Sequence, residues 1–260
     1  MIGTRRVSRR RAVAALAVAP VALADLAALA APRRTTFVLV HGAWHGGWCW
    51  KKLAPLLRAA GHDVYTPTLT GLGERSHLLT RDIGLDTHIA DIAAVLEYED
   101  LRDVVLVGHS YAGMVITGVA DKAAARIGQL VYLDALLPEN GKAVVDYGRK
   151  PPPGTEDSWH DPSPATPQQF GVTDEVDVAW MKARFSDMPR KSMLQPLQLT
   201  SDATRSVKAT FILCTKGSFF EEAAERAKQR GYRYRELLSG GHDVMVSQPK
   251  ALASVLLDLV

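Results

Sequence analysis

The chain has 260 residues, 47% of them hydrophobic, enough to bury one sizeable core in one or two domains. Its 31 basic and 28 acidic residues give a formal charge of +3. Residues 1–30 hold Arg5, Arg6, Arg9, Arg10 and Arg11 against the single acid Asp25, so removing them leaves about −1. Charge so balanced argues against nucleic acid as a partner, and against a membrane surface held through basic residues.

Taken in chain order, residues 1–30 read as an export signal. Five arginines are followed by an apolar run from Ala12 to Ala24, then by small residues at Ala22 and Ala24 or at Ala28 and Ala30 that suit cleavage. Ser8-Arg9-Arg10-Arg11-Ala12-Val13 resembles a twin-arginine motif, which implies export of the folded protein to the periplasm or beyond. An uncleaved anchoring helix is the alternative. Pro20 and Asp25 interrupt the run, so a stable spanning helix fits poorly and no membrane insertion is expected after processing.

From residue 35 short apolar runs alternate with amphipathic stretches. Strands are expected at 36–40, 63–66, 104–107, 130–133, 209–214 and 232–236, and helices at 48–60, 88–100 (capped by Thr87), 111–125, 219–230 and 247–259. Strands that are apolar on both faces and separated by helices imply a parallel sheet of six strands with helices on both sides. Residues 138–206 differ: Pro151, Pro152, Pro153, Pro162, Pro164 and Pro167 mark an insertion with short helices, such as 176–186. The expected organisation is an export signal over 1–30, a core formed by 31–137 with 207–260, and a helical cap over 138–206.

Chemistry concentrates at Gly108-His109-Ser110-Tyr111-Ala112-Gly113, a serine on a tight turn between a buried strand and a helix. That is the setting of a nucleophile elbow, although the last glycine of the pattern is displaced by one position. A weakly acidic hydroxyl needs a base, and of the eight histidines only His242 follows the last strand. An oxyanion needs backbone N–H donors, which Ala43 (after His41-Gly42) and Tyr111 can supply. Gly42, Trp44 and His109 are candidate pocket residues, while Trp44, Trp48 and Trp50 suit an acyl pocket or helix packing equally. Met114 and Met245 suit the core. Cys49 and Cys214 lie in apolar segments and read as buried free thiols unless the fold brings them together. No metal-binding spacing occurs.

The run from Phe37 to Trp48, Thr70-Gly71-Leu72-Gly73 and Gly108 to Met114 resemble the α/β-hydrolase superfamily. Within it the likeness is to the plant methylesterase and hydroxynitrile lyase branch and to bacterial salicylate-ester and pyrethroid-type esterases. The resemblance implies an α/β-hydrolase fold with a cap and cofactor-free cleavage of small-molecule esters by an acyl-enzyme route. The lyases of that branch carry threonine where Gly42 stands and lysine where Asp243 stands, and an anion at 243 opposes stabilisation of departing cyanide. The plant enzymes' acid falls at Gly217, which has no carboxylate, so Asp134 at the end of the fourth strand is the candidate acid. Glu221, Glu222 and Asp243 are weaker choices. A lyase, or a non-catalytic ligand-binding protein on the same scaffold, remains the rival expectation.

Overall fold

The computed structural model describes residues 34–148, 158–164 and 166–260, together with Met1 and Gly3. Apart from those two residues, the export segment expected at 1–30 lies outside the described residues, as does the proline run at 151–153.

Eight strands occur among the described residues: β1 (Thr36–Val40), β2 (Asp63–Tyr65), β3 (Val104–His109), β4 (Ile127–Leu133), β5 (His160–Asp161), β6 (Met188–Pro189), β7 (Lys208–Cys214) and β8 (Arg233–Leu237). The helices are α1 (Ala54–Ala59), α2 (Leu85–Tyr98), α3 (Ala112–Ala123), α4 (Glu175–Lys182), α5 (Arg190–Leu194), α6 (Ala203–Ser206), α7 (Glu221–Gln229), α8 (Val244–Ser247) and α9 (Pro249–Leu257). Six strands form one sheet in the order β2-β1-β3-β4-β7-β8, and every pairing in it is parallel. β5 and β6 form a separate antiparallel ribbon, within the stretch where the sequence suggested only short helices.

Alternation along each strand explains the layering. Val38, Val40, Leu106, Leu130 and Tyr132 pack on one face with α2, α3 and α7, whereas Phe37, Leu39, Val105, Val107, Val131 and Ile212 face α1, α8 and α9. Successive side chains of a strand point to opposite faces, so an unbroken apolar run is what a doubly covered sheet requires. Cys49 and Cys214 are buried and unbonded, as expected. Met114 and Met245 are also buried in the core. No helix among the described residues is long and apolar enough to cross a membrane.

Three helices differ from the sequence reading, each for a backbone reason. The helix expected at 48–60 is a 3-10 turn over Gly47–Trp50 followed by α1, because Pro55 has no N–H to donate within a continuous helix and suits a first turn instead. The closing helix breaks at Gln248 (φ −139°), since the residue before Pro249 is pushed out of the helical region. α2 begins at Leu85, three residues ahead of expectation. Thr87 is therefore inside its first turn, where its hydroxyl accepts from the Gly84 N–H (3.3 Å).

α3 is buried from Ala112 to Ala120 and lies close against the chain leaving β4. A Cβ on Gly113 would overlap the Leu136 carbonyl oxygen. Gly113→Ala is therefore expected to cost about 1–3 kcal/mol through overpacking, read as a lower urea midpoint at unchanged slope.

Candidate active site

The chain passes from β1 outward to β2 and then back to β3 on the other side, so β1 and β3 are neighbours whose outgoing loops diverge. Such a switch point leaves a crevice at the carboxyl ends of the strands. Two of the segments singled out in the sequence meet there: His41-Gly42-Ala43 after β1 and His109-Ser110-Tyr111 at the end of β3.

Ser110 has φ +56°, the left-handed region, where a non-glycine residue costs about 1–2 kcal/mol. The turn is held by bonds from the Ser110 N–H to Leu133 O (3.3 Å), and to Ser110 O from the N–H groups of Gly113 (3.1 Å) and Leu136 (3.0 Å). The hydroxyl of Ser110 lies 2.9 Å from His242 Nε2, and His242 Nδ1 lies 2.6 Å from Asp134 Oδ2. All three side chains are buried. These residues lie 132 and 108 positions apart in sequence, and they form one continuous line of hydrogen bonds.

Asp134 directly follows β4, with φ +41° and its N–H bonded to Ile212 O on β7 (2.8 Å). A buried carboxylate is costly unless its lone pairs find donors. Oδ2 faces His242, and Oδ1 accepts from the Cys214 N–H (3.2 Å) and the Ser218 hydroxyl (2.9 Å). Ser218 was not singled out from the sequence; it is the residue after Gly217, on the loop where the family resemblance places an acid. Gly217 itself is at φ +69° with open space around its α-carbon. Glu221 and Glu222 are exposed in the first turn of α7, and Asp243 faces away from the His242 ring toward His45.

The loop after β1 approaches the serine closely. A Cβ on Gly42 would come within 2.9 Å of Ser110 Cβ and 3.0 Å of His109 Nδ1, so glycine is needed for the approach. His41 braces this loop: Nδ1–H donates to Gly42 O (2.8 Å), and Nε2 accepts from the Leu69 N–H (3.0 Å). Burial pushes the His41 pKa down to about 3, which keeps the ring neutral as these two bonds require. The Ala43 and Tyr111 N–H groups have no backbone acceptor among the described residues. The Tyr111 hydroxyl donates to His88 Nδ1 (2.9 Å), fixing the residue after the serine.

His109 is fully buried and lies beneath His242 rather than on an accessible wall; its Nε2–H donates to His242 O (3.0 Å). Burial, reinforced by His242 and His45, holds its pKa well below the ordinary value. His109, His242 and Asp243 bring potential metal-ligand atoms within 4.8 Å of one another, but both His242 nitrogens are already hydrogen-bonded.

Aromatic rings surround His242. Phe220 stacks on His242 at 5.4 Å between centroids, Phe219 meets it edge-on at 5.9 Å, and Phe170 lies 5.7 Å away. These three and Trp44 line a cavity of about 640 Å³ beside the site, to which Glu221, Glu222 and Arg226 also contribute. Trp48 instead packs against His45 and Trp180, and Trp50 is buried with its ring edge to His109. The tryptophans thus divide between the cavity and the packing. Phe170 and Gly171 come from the 138–206 segment, and Gly171 meets Gly241 so closely that a Cβ on either would lie 2.6–2.7 Å from the other's α-carbon.

A family model described as the alpha/beta hydrolase family matches residues 37–255. A carbendazim hydrolyzing esterase from Nocardioides sp. is 60% identical over 109 residues, a match covering 42% of this chain and 45% of that protein. Methylesterase 3 from Arabidopsis thaliana is 26% identical over 87% of this chain and 96% of its own. Among solved structures, an extracellular α/β-hydrolase from a Paenibacillus species superimposes with a TM-score of 0.72 over 86% of this chain and 98% of that chain, at 22% identity.

The short contact between His242 Nδ1 and Asp134 is a charge-assisted hydrogen bond. Proton NMR should show its N–H far downfield. The signal should vanish in Asp134→Ala and persist in Ser218→Ala; an unchanged signal in Asp134→Ala would assign the proton elsewhere.

Proposed function

Because the chain belongs to the α/β-hydrolase family, we propose that it is a serine hydrolase that cleaves small carboxylic esters through an acyl-enzyme. The observation that carries this reading is the unbroken relay from Ser110 through His242 to Asp134, at 2.9 and 2.6 Å. Relatives named as a carbendazim hydrolyzing esterase and a methylesterase support it.

In the first half-reaction Ser110 Oγ attacks the ester carbonyl carbon while His242 Nε2 takes the hydroxyl proton. Asp134 keeps the ring in the tautomer with hydrogen on Nδ1 and stabilises the imidazolium that forms. The N–H groups of Ala43 and Tyr111 receive the developing oxyanion, an interaction stronger in the transition state than in the ground state. His242 then returns the proton to the leaving alkoxide. In the second half-reaction a water attacks the acyl carbon, loses its proton to His242 and releases the carboxylic acid, and Ser110 regains its hydrogen. No cofactor enters either step.

The substrate's larger part occupies the cavity beside His242, where Trp44, Phe170, Phe219 and Phe220 favour an apolar or flat group. The 138–206 segment contributes Phe170 and acts as the cap. Two features favour ester cleavage over cyanide release. The Gly42 site has no room for a threonine side chain without displacing Ser110 or His109, and the buried residue at 243 is an acid where a lyase carries lysine. Residues 1–30 are read as a twin-arginine export signal; changing both Arg9 and Arg10 to Lys should then retain the protein in the cytoplasm.

An ester panel with p-nitrophenyl and methyl aryl substrates tests the reading. Ser110→Ala should lose at least about a thousandfold in kcat. Asp134→Asn should lose about a hundred- to ten-thousandfold. Full activity in Asp134→Asn removes the acid assignment and leaves the serine intact. Cyanide release from mandelonitrile without ester turnover would replace the esterase by a lyase.

A further inference from the structure

One buried ionisable pair has no part in the relay. His45 is 2% exposed and the Asp243 side chain 0%, and His45 Nε2 lies 3.1 Å from Asp243 Oδ2. The other ring nitrogen, Nδ1, lies 2.7 Å from Ala43 O. The pair therefore joins the loop after β1, which carries one candidate oxyanion donor, to the loop that carries the base. We propose that His45 and Asp243 are positioning residues for ester hydrolysis, a clamp that fixes the oxyanion loop relative to His242. The proposal rests on the serine-hydrolase reading above.

Donor counting defines the clamp. A carbonyl only accepts, so His45 Nδ1 must carry hydrogen. One further proton lies between Nε2 and Asp243, whose ionised form also only accepts, so the pair as a whole is neutral and holds both bonds at once. Burial opposes charge on His45, but the Asp243 carboxylate and the Ala43 carbonyl outweigh it and hold the His45 pKa above its ordinary value. The ring has no freedom to turn: Trp48 stacks on it at 5.2 Å, and Phe185 meets it edge-on at 5.0 Å.

Each end of the clamp is fastened to the site by backbone. On the first loop, Ala43 O precedes Trp44, which has φ +63°, so the bond from His45 supports a strained turn next to the candidate donor. On the second, Asp243 N–H donates to Phe170 O (2.9 Å), while Asp243 O accepts from Val246 and Ser247 in α8 (3.0 and 3.1 Å). His242 is the next residue back along the chain. A shift of the 243 side chain is transmitted through one peptide bond to the base, and a shift of His45 through two to Ala43. A sub-ångström change in the distance between donor and base weakens the transition state more than the ground-state complex.

The test compares wild type, His45→Phe, Asp243→Ala, the double variant and Asp243→Asn on p-nitrophenyl acetate, each variant with its melting temperature. His45→Phe and Asp243→Ala should each lower kcat about 10- to 100-fold with KM changed less than about threefold. The double variant should be no worse than the lower single by more than about threefold, because both changes break one clamp. Asp243→Asn, whose amide can donate to a neutral Nε2, should return to within about fivefold of wild type. Unchanged kcat in folded variants, losses that multiply in the double, or losses confined to KM overturn the role. Should a truncation fail to fold, His45→Gln replaces it: a tenfold loss of kcat supports the clamp, and wild-type kcat overturns it. A wild type that turns over no ester sinks the esterase reading itself, whereas an active wild type with indifferent variants sinks only the clamp.

Discussion

Ser110 holds a left-handed backbone because β3 must hand over to α3 within two residues while the hydroxyl stays at the carboxyl edge of the sheet. The rest of the site is arranged around keeping that conformation in place. Its strain, about 1–2 kcal/mol, is offset by the hydrogen bonds that Ser110 makes through its own N–H and carbonyl, two of them to the chain on either side of Asp134. The turn also needs neighbours without side chains. A Cβ on Gly108 would lie 2.7 Å from Ala112 O and 2.9 Å from Ile116, and one on Gly42 would reach the serine itself. Small residues here allow strand, helix and loop to converge on one hydroxyl.

Electrostatics follow from that convergence. Asp134 is wholly buried yet meets three donors: the ring of His242, the backbone N–H of Cys214 at the end of β7 and the hydroxyl of Ser218. Each oxygen of this buried carboxylate, at the end of the strand next to the serine's own, thereby has a hydrogen-bond partner. The loop beyond β7 holds no carboxylate at Gly217, but through Ser218 it still donates to the Asp134 carboxylate. Around the relay the histidines divide by environment. Burial lowers the pKa of His41 and His109, whereas the facing Asp243 carboxylate raises that of His45.

Much of this was legible in the sequence because it depends on local pattern. Runs such as Phe37 to Val40 and Val104 to Val107 announce a doubly covered sheet, and the serine between strand and helix announces the turn. His242 stood out by its place after the last strand, and Asp134 because the position of the plant enzymes' acid falls at Gly217, which leaves the aspartate at the end of the fourth strand. What escaped depends on contacts between distant segments. Nothing local distinguishes Ser218 from any loop serine, and the His45–Asp243 pair spans 198 positions. The same holds for the phenylalanines around His242, since only the folded chain brings Phe170 beside Phe219 and Phe220. Helix ends were misread where Pro55 and Pro249 impose breaks that apolar spacing overlooks.

Gly171 and Gly241 touch back to back where the segment between β4 and β7 meets the loop that carries His242. This seam limits how the two parts can diverge from one another. Its crossing point must remain without a Cβ, because bulk there presses directly on the peptide preceding His242. Exchange of the whole segment with a homologue is thus tolerated only when the incoming piece also offers glycine at the crossing. The path of this segment and the placement of the His242 ring are inherited together, through two hydrogens where methyl groups would otherwise stand.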